Sequence, residues 1–200
     1  MQWQAKRIAY IKCMPMKILC LQDADKQSGL SKDFVARLGH TARAGGHELE
    51  IVDLARGELA YCLGCLRCWY SESGKCVSRD KLSRLEDRLP EFDLLLFLTP
   101  ILFGTFSAEL KTPIEKGFGS KLSLGRLYPQ LVVGYGEDLD EEEVSCFLDI
   151  TRKHRGRMDV VHPELSGLRV EALVTRSRED NTALLRRIEQ AYLTGEKEKP

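Results

Sequence analysis

Apolar positions along the chain fall into short continuous runs alternating with helically spaced ones. Met16-Lys17-Ile18-Leu19-Cys20-Leu21 has the pattern of a short buried strand. Over residues 30–44, Leu30, Phe34, Val35, Leu38 and Ala42 recur at helical spacing, and Gly45-Gly46 supplies the stop. Glu48-Leu49-Glu50-Ile51-Val52-Asp53 alternates as a second strand. A cysteine-rich loop follows, then a helical stretch over 80–89 that Pro90 closes. Residues 93–98 read as a strand that is apolar from Leu94 on, as a central parallel strand should be, and Thr99-Pro100 breaks that strand. A helix is expected over 107–116, a strand over 131–134 and a helix over 139–154. Residues 158–161 then read as the last strand and 181–193 as the last helix.

This alternation, with no internal repeat, predicts an open parallel sheet with helices on both faces. One domain is expected over 16–194, preceded by a mobile extension (1–15) and followed by a fraying tail (195–200). In such sheets ligands sit beyond the carboxyl ends of the strands, where the strand order reverses. The loops at 22–31, 99–107 and 134–138 meet that condition, and the cysteine loop stands beside them.

Composition narrows the function classes. The chain has 200 residues, 43% hydrophobic and 30% charged, which suits a globular domain with a real core. Thirty Lys+Arg balance thirty Asp+Glu, so no global field draws the protein to nucleic acid or an anionic membrane. Its longest apolar runs fall far short of the roughly 20 residues of a spanning helix, and no secretory leader is evident. A cytoplasmic protein is expected. The four histidines, at 40, 47, 154 and 162, are scattered, and no Gly-x-Ser-x-Gly, His-Glu-x-x-His or phosphate-loop Lys-Ser/Thr motif occurs. Hydrolase and NTPase readings lose support.

Seven cysteines, at 13, 20, 62, 65, 68, 76 and 146, are the unusual number. The odd count, with four crowded together, is not a secreted disulfide framework and points to a metal, a cluster or redox work. Cys62, Cys65 and Cys68 are two residues apart, and Cys76 follows after seven more. Such gaps let thiolates converge on one centre, whereas zinc ribbons use two separated knuckles. Buried structural thiols remain the alternative.

Several blocks together carry a resemblance: Met16-Lys17-Ile18-Leu19, Cys62-Leu63-Gly64-Cys65-Leu66-Arg67-Cys68-Trp69, Gly74-Lys75-Cys76, Asp80, and the run from Thr99-Pro100-Ile101-Leu102-Phe103-Gly104 through Ser107 to Lys111. Over about residues 16–116 the chain resembles the flavodoxin-like NAD(P)H-dependent FMN reductases, including their iron-sulfur flavoprotein branch. The resemblance implies a three-layer α/β sandwich whose five-stranded parallel sheet runs in the order 2-1-3-4-5. It also implies a homodimeric FMN-dependent oxidoreductase passing electrons from NAD(P)H, or a reduced partner, to a flavin, quinone or other small acceptor. No catalytic side chain is implied, because the flavin carries the hydride chemistry.

By the same resemblance, Lys26, Ser28 and Ser31 would hold the FMN phosphate, and Thr99, Pro100, Ile101, Leu102, Phe103 and Gly104 would lie against the isoalloxazine ring. Tyr135 and Gly136 would stand alongside. Cys62, Cys65, Cys68 and Cys76 would be the ligands of a [4Fe–4S] cluster, although Cys68-Trp69 and Gly74-Lys75-Cys76 match cluster-free relatives. Asp23 and Asp25 depart from the family, which has small residues or proline there. A carboxylate about 4 Å from a phosphate charge costs roughly 4 kcal/mol at an effective dielectric near 20, unless both acids turn to solvent. Ser28 or Ser31 capping a helix, and Ser107 capping the next, would explain those loops without a ligand. The acids over 137–143 are explained by the helix macrodipole. A flavin-free binding or scaffold protein with a structural cysteine or metal loop is the alternative function.

Overall fold

The computed structural model describes residues 15–70, 75–118, 128–161 and 170–193. The first fourteen residues of the expected extension, and the tail, lie outside these ranges. β1 (Lys17–Asp23), β2 (Glu48–Leu54), β3 (Leu94–Leu102), β5 (Gln130–Tyr135) and β6 (Val170–Thr175) pair in parallel in the order β2-β1-β3-β5-β6. The two-residue β4 (Thr105–Phe106) folds back antiparallel on the end of β3. Counting the parallel strands alone, this is the expected order 2-1-3-4-5.

Alternation along the strands divides the core. Ile18, Cys20, Leu96 and Leu98 pack with Phe34 and Leu38 of α1 (Gly29–Ala44) and Leu185 of α6 (Arg178–Ile188). Leu19, Leu21, Leu95 and Phe97 face the other layer. There they meet Leu82 of α3 (Lys81–Arg88), Leu110 of α4 (Ala108–Glu115) and Phe147 of α5 (Glu141–Val161). A four-residue α2 (Arg67–Tyr70) interrupts the cysteine loop. The result is the three-layer sandwich, with the loops after β1, β2, β3 and β5 gathered at one edge.

Two expectations are corrected. Thr99-Pro100 does not end β3, which continues to Leu102 with Pro100 opposite Tyr135. The β1 pairing has stopped at Leu98, so Pro100 lies where β3 pairs on one main side only, a position that tolerates a missing N–H. Residues 158–161 are not a strand but the last turn of α5, and β6 follows at Val170. Met158, Val160 and Val161, interrupted by Asp159, carry no period of their own, and extending an existing helix adds one hydrogen bond per residue fixed. The acids Glu141, Glu142 and Glu143 do occupy the first turn of α5.

Candidate functional site

The loop after β1 closes on its own side chains. Asp23 is fully buried, and its Oδ1 accepts the N–H of Asp25 at 2.9 Å and of Lys26 at 2.8 Å. Lys26 Nζ reaches back to Asp23 Oδ2 at 3.5 Å and across to Glu109 Oε2 at 3.1 Å. Partial burial alone would lower the Lys26 pKa, but the Glu109 hydrogen bond and the charge of Asp23 raise it above the usual lysine value. Asp25 turns outward and accepts the Arg56 N–H at 2.8 Å. Ser28 caps α1 in a reciprocal box: Ser31 N donates to Ser28 Oγ at 3.2 Å, and Ser28 N to Ser31 Oγ at 2.9 Å.

Tyr135 does not offer a ring face to the edge. It is buried at the end of β5, and its hydroxyl donates to the Lys26 carbonyl at 2.9 Å. Burial, aided by the Asp23 charge, pushes its pKa up to about 12, against the hydrogen bond from Ser31. The Gly136 N–H is likewise taken, by the Thr175 carbonyl at 3.2 Å.

On the β3 side, Thr99 is buried and structural: its Oγ1 accepts the Ser107 N–H at 3.0 Å and donates to the Pro100 carbonyl at 3.0 Å. Pro100 and Ile101 are buried and Leu102 is half-buried. Leu102 pairs with Thr105, so Phe103 and Gly104 form a two-residue turn with φ of 51° and 71°. Gly104 fits because a Cβ there would lie 2.8 Å from Cys146 Cβ. Phe103 is 96% exposed.

The cysteine loop is tied at its neck. Asp80 caps α3 by accepting the Ser83 N–H at 3.0 Å, and its Oδ2 accepts the Ala60 N–H at 3.0 Å. The same oxygen meets Lys116 Nζ at 2.5 Å, in an ion pair whose side chains are 2% and 7% exposed. Between the ties, Cys62 and Cys65 are exposed and Cys68 and Cys76 half-buried. Among the described residues no three Cys, His, Asp or Glu side chains converge as a metal-binding group. Cys62, Cys65, Cys68 and Cys76 thus stand apart in the loop rather than as a preformed four-sulfur set.

This loop instead presents apolar surface. Among the described residues, Tyr61, Leu63, Leu66, Tyr70 and Val77 are exposed, and outside the loop only Phe103 and Ile51 are comparable. The described non-glycine residues with positive φ are Leu66, at 55°, and Phe103, at 51°. Both are therefore exposed, apolar and backbone-strained, Phe103 in the turn that ends β3 and Leu66 in the loop that follows β2. Strain held at such residues gathers at ligand sites.

Comparison with known proteins decides the family. A family model described as NADPH-dependent FMN reductase matches residues 16–125. The chain belongs to that family. An iron-sulfur flavoprotein of Archaeoglobus fulgidus is 28% identical over 117 residues, 58% of this chain and 52% of that protein. An iron-sulfur flavoprotein of Methanocaldococcus jannaschii is 28% identical over 116 residues, 55% of this chain and 59% of that protein. The match thus spans little more than half the length of these curated relatives. The NAD(P)H:quinone oxidoreductase from Methanothermobacter marburgensis has the same fold, with a TM-score of 0.60 at 17% identity over 89% of this chain and 99% of that one. An NADH:FMN oxidoreductase in its apo form shares it too, with a TM-score of 0.53 at 15% identity over 92% of each chain.

For an FMN reductase the two sides of the edge fit the cofactor unequally. The uncovered apolar walls suit a flat ring that must leave water. In the β1 loop the Asp23 carboxylate already takes two N–H groups and faces the Lys26 ammonium. Lys116 carries no motif, and nothing linear joins it to Asp80, 36 residues away. A signal for Asp23 was present: an Asp ending a strand before a turn commonly bonds the N–H two residues on.

Proposed function

We propose that this FMN reductase family member is a flavin-dependent oxidoreductase that takes electrons from NAD(P)H and passes them to a flavin, quinone or other small acceptor. One observation carries the reading: Phe103, exposed and held at positive φ, stands in the turn at the carboxyl end of β3, where an α/β sheet receives its ligand. A bound flavin would supply the hydride chemistry. The chain's part is to offer the apolar wall, exclude water and hold the ring by Phe103, Leu102 and the backbone of the β3–β4 turn. Family membership favours this reading over a flavin-free scaffold. A homodimer that covers the apolar edge, in the cytoplasm, belongs to the same proposal. Among the described residues no helix is long and apolar enough to cross a membrane.

The test is purification without oxygen, followed by a visible spectrum, assays of iron, zinc and released flavin, and NAD(P)H oxidation with quinone and flavin acceptors. A flavin double band, native or restored by added flavin, with acceptor-dependent NAD(P)H oxidation is expected. A colourless protein that ignores every added flavin refutes the proposal. Iron at roughly four per chain would assign the cysteine loop a cluster, and the names of the curated relatives are what motivate that assay.

A further inference from the structure

A helix N-terminus ordinarily receives an anion, because its first N–H groups are unpaired and its dipole favours negative charge. In the turn that leads into α1, two N–H groups already face an anion that is part of the chain. Asp23 Oδ1 takes the N–H groups of Asp25 and Lys26, and the fully buried Oδ2 has no hydrogen-bond partner among the described residues. Lys26 Nζ, the cation of this loop, is shared between Asp23 at 3.5 Å and Glu109 at 3.1 Å. Two carboxylates thus face one ammonium, and an arriving phosphate would add charge of the majority sign. The N–H groups of Ser28 and Ser31 are answered by each other's hydroxyls. Tyr135 holds the loop in this form from β5.

We propose that Asp23 is a specificity-determining residue: an internal anion in the place of the ligand's phosphate, so that the site takes flavin by its ring and polyol and gains nothing from the 5′-phosphate. The ligand class is the flavin as such, with riboflavin and FMN held nearly equally. This rests on the flavin-dependent reading above and adds to it which part of the flavin is recognised.

The experiment is a side-by-side titration of flavin-stripped protein with riboflavin and with FMN, followed by fluorescence and calorimetry. In the wild-type protein the two dissociation constants agree within about threefold, against the roughly tenfold expected from even one charge-assisted hydrogen bond to a phosphate. A wild-type preference for FMN of about tenfold or more overturns the proposal. Asp23→Gly frees both N–H groups and leaves Lys26 paired with Glu109 alone, and the ratio of FMN to riboflavin affinity then rises on the order of 100-fold. Asp23→Asn keeps an oxygen on the same N–H groups without the charge. It gives a smaller shift toward FMN, roughly tenfold, and is informative where the glycine variant does not fold. Riboflavin binding with no FMN gain in either folded variant overturns the role of Asp23 and leaves the flavin reading standing. Failure of both flavins to bind any form overturns both.

Discussion

The loop after β1 answers its backbone donors with its own side chains, whereas the cysteine loop and the β3–β4 turn leave large apolar side chains uncovered. Both follow strands of one sheet, and β1 lies between β2 and β3. The polar side has its lysine and several of its N–H groups engaged within the chain; the apolar side is open and strained. Recognition on such an edge must come from shape and from water leaving a flat surface, because the charges that would select an anion are already committed.

The contrast can be broken at its foundation first. Lys116→Ala leaves the Asp80 carboxylate buried and unpaired, and stability measured by urea unfolding falls by about 3–5 kcal/mol. The same clasp sets an acid dependence. Burial pushes the Asp80 carboxyl up, but Lys116 and the N–H groups of Ser83 and Ala60 outweigh it and hold the pKa below the ordinary carboxylate value. A depressed folded pKa contributes stability that is complete above the unfolded value, about 3.9, and is lost as pH falls through the lower folded one. Wild-type unfolding curves therefore weaken below about pH 4, and Lys116→Ala flattens that slope.

Gly134→Ala tests the packing under the open side. A Cβ there would come within 2.7 Å of both Ile101 and Phe147, so a loss of about 1–3 kcal/mol in thermal unfolding is expected. Phe103→Gly sharpens the comparison by moving two readouts in opposite directions. Relief of the left-handed backbone raises stability by about 1 kcal/mol, while loss of the ring weakens flavin binding by up to about tenfold. The smallest effect is chemical. In the folded protein Cys62 and Cys65 are exposed and react quickly with a thiol reagent, whereas Cys20 does not. Burial, with Asp53 nearby, pushes the Cys20 thiol up to about 12.

The layered fold was legible because each of its signals is local: the continuous apolar run of β3, the spacing of Leu30, Phe34 and Leu38, and the stop at Gly45-Gly46. The end of β3 was not, because whether Pro100 breaks a strand depends on where its neighbour β1 stops. Residues 158–161 misled for a similar reason, since Met158, Val160 and Val161 are too few to fix either period. At the candidate site the relevant loops were legible from topology, but the use of their residues was not. Lys26 reads as a free cation until Glu109, from a helix 83 positions away, is folded against it. Tyr135 reads as an exposed aromatic at a strand end until its hydroxyl is seen to hold the Lys26 carbonyl. Which partner a polar side chain takes is a property of the tertiary arrangement.

The junction of Ala60, Asp80 and Lys116 has a consequence for how this protein can change over generations. A segment closed at its base behaves as an insert: doubling its length adds only about 0.6 kcal/mol of closure entropy. Residues between the two ties can be gained, lost or exchanged, thiols included, while the strands beneath keep their register. The cysteine segment is thus free to acquire or abandon chemistry at a pace of its own, with one salt bridge insulating the scaffold from each experiment.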